Sequence, residues 1–342
     1  MGDVVTIRDV ARRANVSVAT VSRALNGHEH VADAVRRRVL SIAAELRYSP
    51  HHAARSLSSR RTQTIGVVLP DLHGEFFSEL MRGIDQVARE HGLHLLVSSY
   101  HGHPEEQGAA LRAMRGRVDG LLVMSPYAGE TDFLTGNMST ALPTILINTH
   151  LPESDFGVLN IDNHGGARAM VRYLVDSGRR RIAFIAGPDN NFDAHERLRG
   201  YRDALAEALP DAQPWVLPGA FDEASGHSAG RALLESAQRP DAVFAANDMM
   251  ALGCLFAFNQ AGLRVPDDVA LAGFDDIPLA RYVHPALTTM RVDIASLGGR
   301  ALRALLARTD SVAAQPAEPL LLPELIVRDS TVGHERVRSD SS

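Results

Sequence analysis

Two periodicities divide the chain. Over the first fifty residues apolar positions recur every third or fourth place: Ile7, Val10, Ala11 and Ala14, then Val16, Val21 and Leu25, then a third stretch from about Ala32 to Leu46 in "VADAVRRRVLSIAAELRY". Residues three and four apart share a helix face, so this spacing predicts three short helices around one small core. Thr6 and Asp9 have capping-box spacing, and after the break at "ANV" Ser17 can cap the second helix. Small side chains at Ala11 and Ala14 allow a close helix crossing. From Thr64 the pattern changes to short continuous apolar runs: "IGVVLPD", "LHLLVSSY", "DGLLVMSP", "PTILINT", "RIAFIAG", "DAVFAAND" and "VALAGFDD", separated by amphipathic stretches. Such runs predict strands buried on both faces, and the helical spacers predict parallel α/β sheets.

These runs are too many for one small sheet, so the body, residues 64–332, is expected to form two lobes. One takes about 64–160 with 291–320, and the other about 163–290 with 321–332. A head over 1–49, a hinge and linker over 50–63 and a polar tail over 333–342 complete the division. The tail "GHERVRSDSS" has no leucine heptad, which favours a homodimer over a coiled-coil tetramer.

Charge changes the picture. The net charge of −6 conceals 11 Arg and 5 acids over residues 1–61, the head with most of the hinge, at +6, on a remainder at −12. A basic head on an acidic body predicts that only the head meets a polyanion. Lysine is absent from the whole chain, which removes Schiff-base, P-loop and Ser-Lys chemistry. The single cysteine, Cys254, sits in the apolar run "MMALGCLFAF" and reads as a small core residue, so no intrachain disulfide can form. With no apolar run long enough to span a bilayer and no leader pattern, a cytoplasmic, nucleoid-associated protein is expected.

Two short helices joined by a tight turn suit a helix-turn-helix, whose second helix presents its N-terminal side chains to the major groove. Val18, Ala19 and Arg23 would face base edges, Arg reading guanine and the aliphatic groups reading thymine methyls, while Ser17, Thr20 and Ser22 suit phosphates. A solvated structural cap is the alternative that helical pattern alone leaves open. The words "TIRDVARRANVSVATVSRALNG", "VADAVRRRVLSIAAELRYSP" and "AARSL" together resemble the DNA-binding head of the lactose-repressor (LacI/GalR) family of bacterial transcription regulators. The resemblance implies a dimer gripping a palindromic double-stranded operator, and adds Thr6 and Asn26 to the DNA contacts. It also implies that Ala54, Arg55 and Leu57 form a hinge helix, with Leu57 inserted into the minor groove.

The body resembles the type I periplasmic-binding-protein fold of the same family, in which a small effector binds between the lobes. Open α/β sheets bind ligands beyond the carboxyl ends of their strands, and there stand Asp71, Ser125, Asn148, Asn247 and Asp275. Converging carboxylates and amides suit a hydroxyl-rich neutral ligand, a sugar or a nucleoside. Each, taken singly, also reads as an ordinary cap or turn residue. By resemblance Arg197 in "RLRGY" anchors the effector, Asp275 in "GFDD" faces it across the cleft, Phe221 in "GAFDEASG" serves stacking or lid contact, and Phe76 and Phe77 in "EFFSEL" match the entrance of the first lobe's opening helix; Asp193, near Arg197, is a further candidate. Gly74-Glu75 replaces the Asn-Pro that often precedes the Phe pair in relatives.

Other motifs lack their context. "GHSAG" at 226–230 follows no strand, so Ser228 reads as helical rather than nucleophilic. "HGH" at 101–103 has no third ligand at useful spacing, and no Gly-rich dinucleotide fingerprint follows a strand, so neither metal nor cofactor is assigned. A sugar-binding receptor without DNA function would need an export signal, and a sugar-acting enzyme would need an acid-base pair. The expectation is a non-enzymatic, ligand-controlled repressor.

Overall fold

The computed structural model describes residues 5–25, 31–48, 61–127, 136–138, 142–149, 156–309 and 320–332. Asn26, Ala54, Arg55, Leu57 and the tail from 333 lie outside the described residues. The chain separates into two compact units after Thr62.

The head contains α1 (Ile7–Ala14), α2 (Val18–Leu25) and α3 (Asp33–Glu45). The backbone N–H and the hydroxyl of Thr6 both donate to Asp9 Oδ2, at 3.0 and 2.7 Å, which fixes the start of α1. Asn15 ends it in the left-handed region, at φ 51°, a conformation that asparagine tolerates well. Ser17 Oγ accepts the Thr20 N–H at 3.1 Å and opens α2. Val10, Ala14, Val21, Val39 and Ala43 close a core from all three helices, and Arg13 pairs with Glu45 at 3.2 Å across α1 and α3.

The body holds two six-stranded sheets. The first, in the order β11-β5-β4-β3-β1-β2, comprises β1 (Thr64–Leu69), β2 (His94–Ser99), β3 (Gly120–Met124), β4 (Thr144–Ile147), β5 (Gly157–Ile161) and β11 (Leu320–Leu321), all parallel. The second, in the order β12-β10-β9-β8-β6-β7, comprises β6 (Ile182–Ile185), β7 (Trp215–Leu217), β8 (Ala242–Ala245), β9 (Ala270–Asp275), β10 (Thr288–Arg291) and β12 (Glu324–Ile326). Only the β10–β12 pair is antiparallel. The central strands β3, β4, β6, β8 and β9 are buried throughout, the reason they read as unbroken apolar runs.

The helices are α4 (Glu75–Glu90), α5 (Pro104–Met114), α6 (Asn163–Asp176), α7 (Phe192–Ala208), α8 (Glu223–Glu235), α9 (Asp248–Gln260) and α10 (Ile294–Thr309). The chain leaves the first lobe after β5 and returns after β10 with α10, which packs on α4 and on β3 and β4. A Cβ on Gly83 would overlap the Ala295 carbonyl, so glycine lets α4 lie directly on α10. After β11 the chain crosses once more to β12. Leu321, assigned from sequence to the second lobe, pairs with Ile161 in the first sheet, because a two-residue edge strand carries no pattern that marks its sheet. Among the described residues no helix is long and apolar enough to cross a membrane.

Candidate functional site

On the head, the packing of α2 decides which side chains stay free. Val21 and Ala24 turn into the core, which leaves Ser17, Val18, Ala19 and Arg23 exposed and Thr20 and Ser22 half-buried. Val18 is 42% exposed, an apolar side chain held out at the start of a helix that also carries Arg23, which makes no ion pair among the described residues. Thr6 is exposed, with its hydroxyl engaged on Asp9.

In the body, a cleft of about 210 Å³ opens between the two sheets at the carboxyl ends of their strands. Nine of the ten residues expected there line it: Asp71, Phe76, Phe77, Asn148, Asp193, Arg197, Phe221, Asn247 and Asp275. Ser125 does not. It lies buried between the lining residues Met124 and Pro126, its N–H donating to Thr149 Oγ1 at 3.0 Å.

A buried network built on α7 organises one wall. Arg197 is 4% exposed; its Nε donates to Asn163 Oδ1 at 2.8 Å, its Nη1 to the Ala246 carbonyl at 2.5 Å, and its Nη2 stands 3.1 Å from Asp275 Oδ1. That last approach is an ion pair, and a carboxylate oxygen with one partner keeps a second lone pair for another donor. The guanidinium lies 3.8 Å from the centre of the Phe274 ring and 5.8 Å from that of Phe221. Asp193 accepts Asn163 Nδ2 at 2.8 Å and, from the opposite lobe, Asn148 Nδ2 at 3.1 Å. Burial pushes the Asp193 carboxyl up to about 7 against the pull of Arg197, and burial likewise pushes Asp275 up to about 6.

Backbone strain collects around the same cleft. Asn148, Phe221, Asp275 and Asp276 hold positive φ, at 44°, 66°, 111° and 55°. For Phe221 this is a true outlier, maintained by Asn247 Nδ2 donating to its carbonyl at 2.9 Å and by Gly187, where a Cβ would collide with the ring. Behind the wall, Asp248 accepts Thr289 Oγ1 at 2.6 Å and the Ile277 N–H at 3.0 Å, and burial raises its carboxyl well above the usual range. Burial would raise Asp276 too, but Arg291 and Arg328, at 2.7 and 2.6 Å, outweigh it and hold that carboxylate low. These bonds pin the strained turn that presents Asp275.

Direct contacts cross between the lobes. Beside Asn148–Asp193, the Phe192 N–H donates to the Pro126 carbonyl at 2.5 Å, and the Leu279 N–H donates to Glu75 Oε2 at 2.9 Å. Sequence reasoning missed His73, Tyr127, Asn191 and Met249 in the lining, and Asn163 behind it. Asn191 had a signal, as the cap of α7 with its side chain accepting the Ala194 N–H at 3.0 Å. Asn163 had none: its bonds to Asp193 and Arg197 reach partners about 30 residues away.

Comparison with known proteins agrees with both units. The description "Bacterial regulatory proteins, lacI family" matches residues 6–51, and "Periplasmic binding protein-like domain" matches 171–331. The chain is 34% identical to the ribose operon repressor of Haemophilus influenzae (strain ATCC 51907 / DSM 11121 / KW20 / Rd), over 95% of this chain and 98% of that protein. It is 37% identical to the HTH-type transcriptional repressor PurR of Escherichia coli O1:K1 / APEC, over 95% and 96%. The crystal structure of the lac repressor dimer bound to operator and the anti-inducer ONPF matches with a TM-score of 0.86 at 29% identity, covering 96% of this chain and 100% of that one.

Proposed function

This chain belongs to the lacI family of bacterial regulatory proteins, and from that premise we propose that it is a transcriptional repressor whose head reads a palindromic operator as a homodimer, under the control of a small sugar bound between the lobes. The observation that carries this reading is the pairing of two unlike sites in one chain: a helix that holds Val18, Ala19 and Arg23 free on a basic head, and a polar cleft spanned by contacts from both lobes. In this reading Arg23 takes a guanine edge, Val18 and Ala19 read thymine methyls, and Ser17, Thr20 and Ser22, with Thr6 and Asn26, hold phosphates. Ala54, Arg55 and Leu57 are assigned to the minor groove on the strength of the motif "AARSL" alone.

Control follows from the cross-lobe bonds. A ligand that touches Asn148 on one lobe and Arg197 or Asp275 on the other stabilises one relative setting of the lobes, and only such differential binding can change DNA affinity. Couplings of this kind are typically about 1–3 kcal/mol. A cleft of about 210 Å³ is below the roughly 300–1,000 Å³ of drug-sized pockets, which favours a single sugar ring. The site is one of binding rather than turnover, because its buried acids are tied to amides and an arginine. Acting on operator DNA places the protein in the cytoplasm. The test is selection of the purified chain against a random DNA pool at a stated salt concentration, followed by a monosaccharide panel on the selected sequence. An enriched palindrome whose binding responds to one sugar supports the proposal. Failure to enrich any sequence, with and without the sugars, sinks it.

A further inference from the structure

Resting on the reading of the cleft as the effector site, we infer that the cleft filters ligands by charge: it accepts an uncharged, donor-rich single ring and rejects the phosphorylated or carboxylate form of that ring. Three independent observations support this.

The first is the balance of charge. Asp71, Asp193, Asp222 and Asp275 line the cleft, and among the described residues the only arginine in the lining is Arg197. Arg197 is already neutralised, with Asp275 at 3.1 Å, so even if Asp193 keeps its proton no positive charge is left for an anion. His73, the other basic group in the lining, is exposed and stands 3.9 Å from Glu223.

The second is the state of the helix ends. Helix N-termini are ready-made phosphate sites because their first N–H groups are unpaired. Three helices begin at this cleft, and each start is closed by its own side chain: Asn191 accepts the Ala194 N–H at 3.0 Å, Asp222 the Ser225 N–H at 2.7 Å, and Asn247 the Met250 N–H at 3.0 Å. A fourth, α4, begins at Gly74 with no side-chain cap, but Asp71 and Glu75 flank it. An incoming phosphate would meet carboxylates at the open start and amide or carboxylate oxygens at the closed ones.

The third is the kind of polar atom left over. Asn148 is 2% exposed and donates its amide nitrogen to Asp193, and its Oδ1 has no hydrogen-bond partner; Asp275 Oδ1, held by Arg197 as an ion pair, has a further lone pair open. A buried acceptor left unpaired is costly, so Asn148 Oδ1 above all calls for a donor such as a ligand hydroxyl, and Asp275 can accept another. A phosphate oxygen offers the wrong sign to each.

The test is calorimetric titration of the full-length protein, in phosphate-free buffer, with matched probes: D-ribose against D-ribose 5-phosphate, D-glucose against D-glucose 6-phosphate and D-gluconate, and inorganic phosphate alone. The expected result is binding of a neutral sugar, with its anionic counterpart weaker by about 100-fold or more and no saturable binding of inorganic phosphate. An anionic member that binds as well as its neutral partner, or saturable phosphate binding, overturns the filter while leaving the effector site in place. Silence of every sugar, charged and uncharged, removes the sugar reading of the cleft and the filter with it. The double variant Asp71→Asn/Asp222→Asn supplies the internal check, since asparagine caps as well as aspartate. Its neutral-to-anionic preference should narrow by roughly threefold or more, and an unchanged ratio would also overturn the charge argument.

Discussion

The head and the cleft solve recognition in opposite ways. On the head, the side chains assigned to base edges are exposed: Arg23 carries no ion pair among the described residues, and Val18 stands in solvent on a helix whose other face fills a small core. In the cleft, Arg197, Asp193, Asp275 and Asn163 are buried and bonded to one another before any ligand arrives. A long polyanion brings its own strong field and is met by free cations at little desolvation cost. A small neutral ligand brings no field, so the site must hold its dipoles in place in advance, and burial with strained backbone does that.

The contrast breaks most visibly at Arg197. Arg197→Ala strands two buried carboxyls, and removal of one partner of a buried pair typically costs about 3–5 kcal/mol. Urea unfolding followed in the body should show that loss together with loss of ligand binding, whereas a change near zero would mean that the network is not integral to the lobe.

A second effect depends on pH. Asp193 and Asp275 have raised folded values, about 7 and about 6 against the ordinary 3.8, so the folded body holds more protons than the unfolded chain across that interval. Their stabilising contribution is full below 3.8 and is lost as pH rises through about 6 and about 7. Asp193→Asn should make the decline in stability between those limits shallower, by at most about 1.4 kcal/mol per pH unit. Parallel profiles for the two proteins would place the proton elsewhere.

On the head the effects are smaller and leave the body untouched. Arg23→Ala should cost specific operator binding about 1–3 kcal/mol while nonspecific binding changes far less, read by competition at fixed salt. Thr6→Ala, which removes one of the two bonds to Asp9, should lower head stability by about 1 kcal/mol without altering the preferred sequence. A changed preference would make Thr6 a reader rather than a cap.

The same contrast decides what was legible in the sequence. The head's helices follow from local spacing, and Thr6, Asp9 and Ser17 act within three residues of themselves. Asp71, Asn148, Asn247 and Asp275 were readable because each stands at the end of an apolar run, whereas β5 and β10 were not, with only partial apolar character, nor were β7, β11 and β12, of three residues or fewer at the sheet edges. Asn163 and the inverted φ of Phe221 belong to no run and no period; they arise where α6, α7 and the turn before α8 meet. Ser125 shows the converse, standing just past a strand end yet buried outside the lining of the cleft.

The most direct test joins both sites in one assay. Anisotropy of a labelled operator, recovered by selection, is titrated with the unsubstituted protein and with Asp275→Ala, each with and without saturating neutral sugar. The sugar should change operator affinity about 5- to 150-fold in the unsubstituted protein and leave the variant unmoved, although both bind the operator without ligand. Equal operator affinity with and without sugar in the unsubstituted protein, or the same response in the variant, would contradict the account.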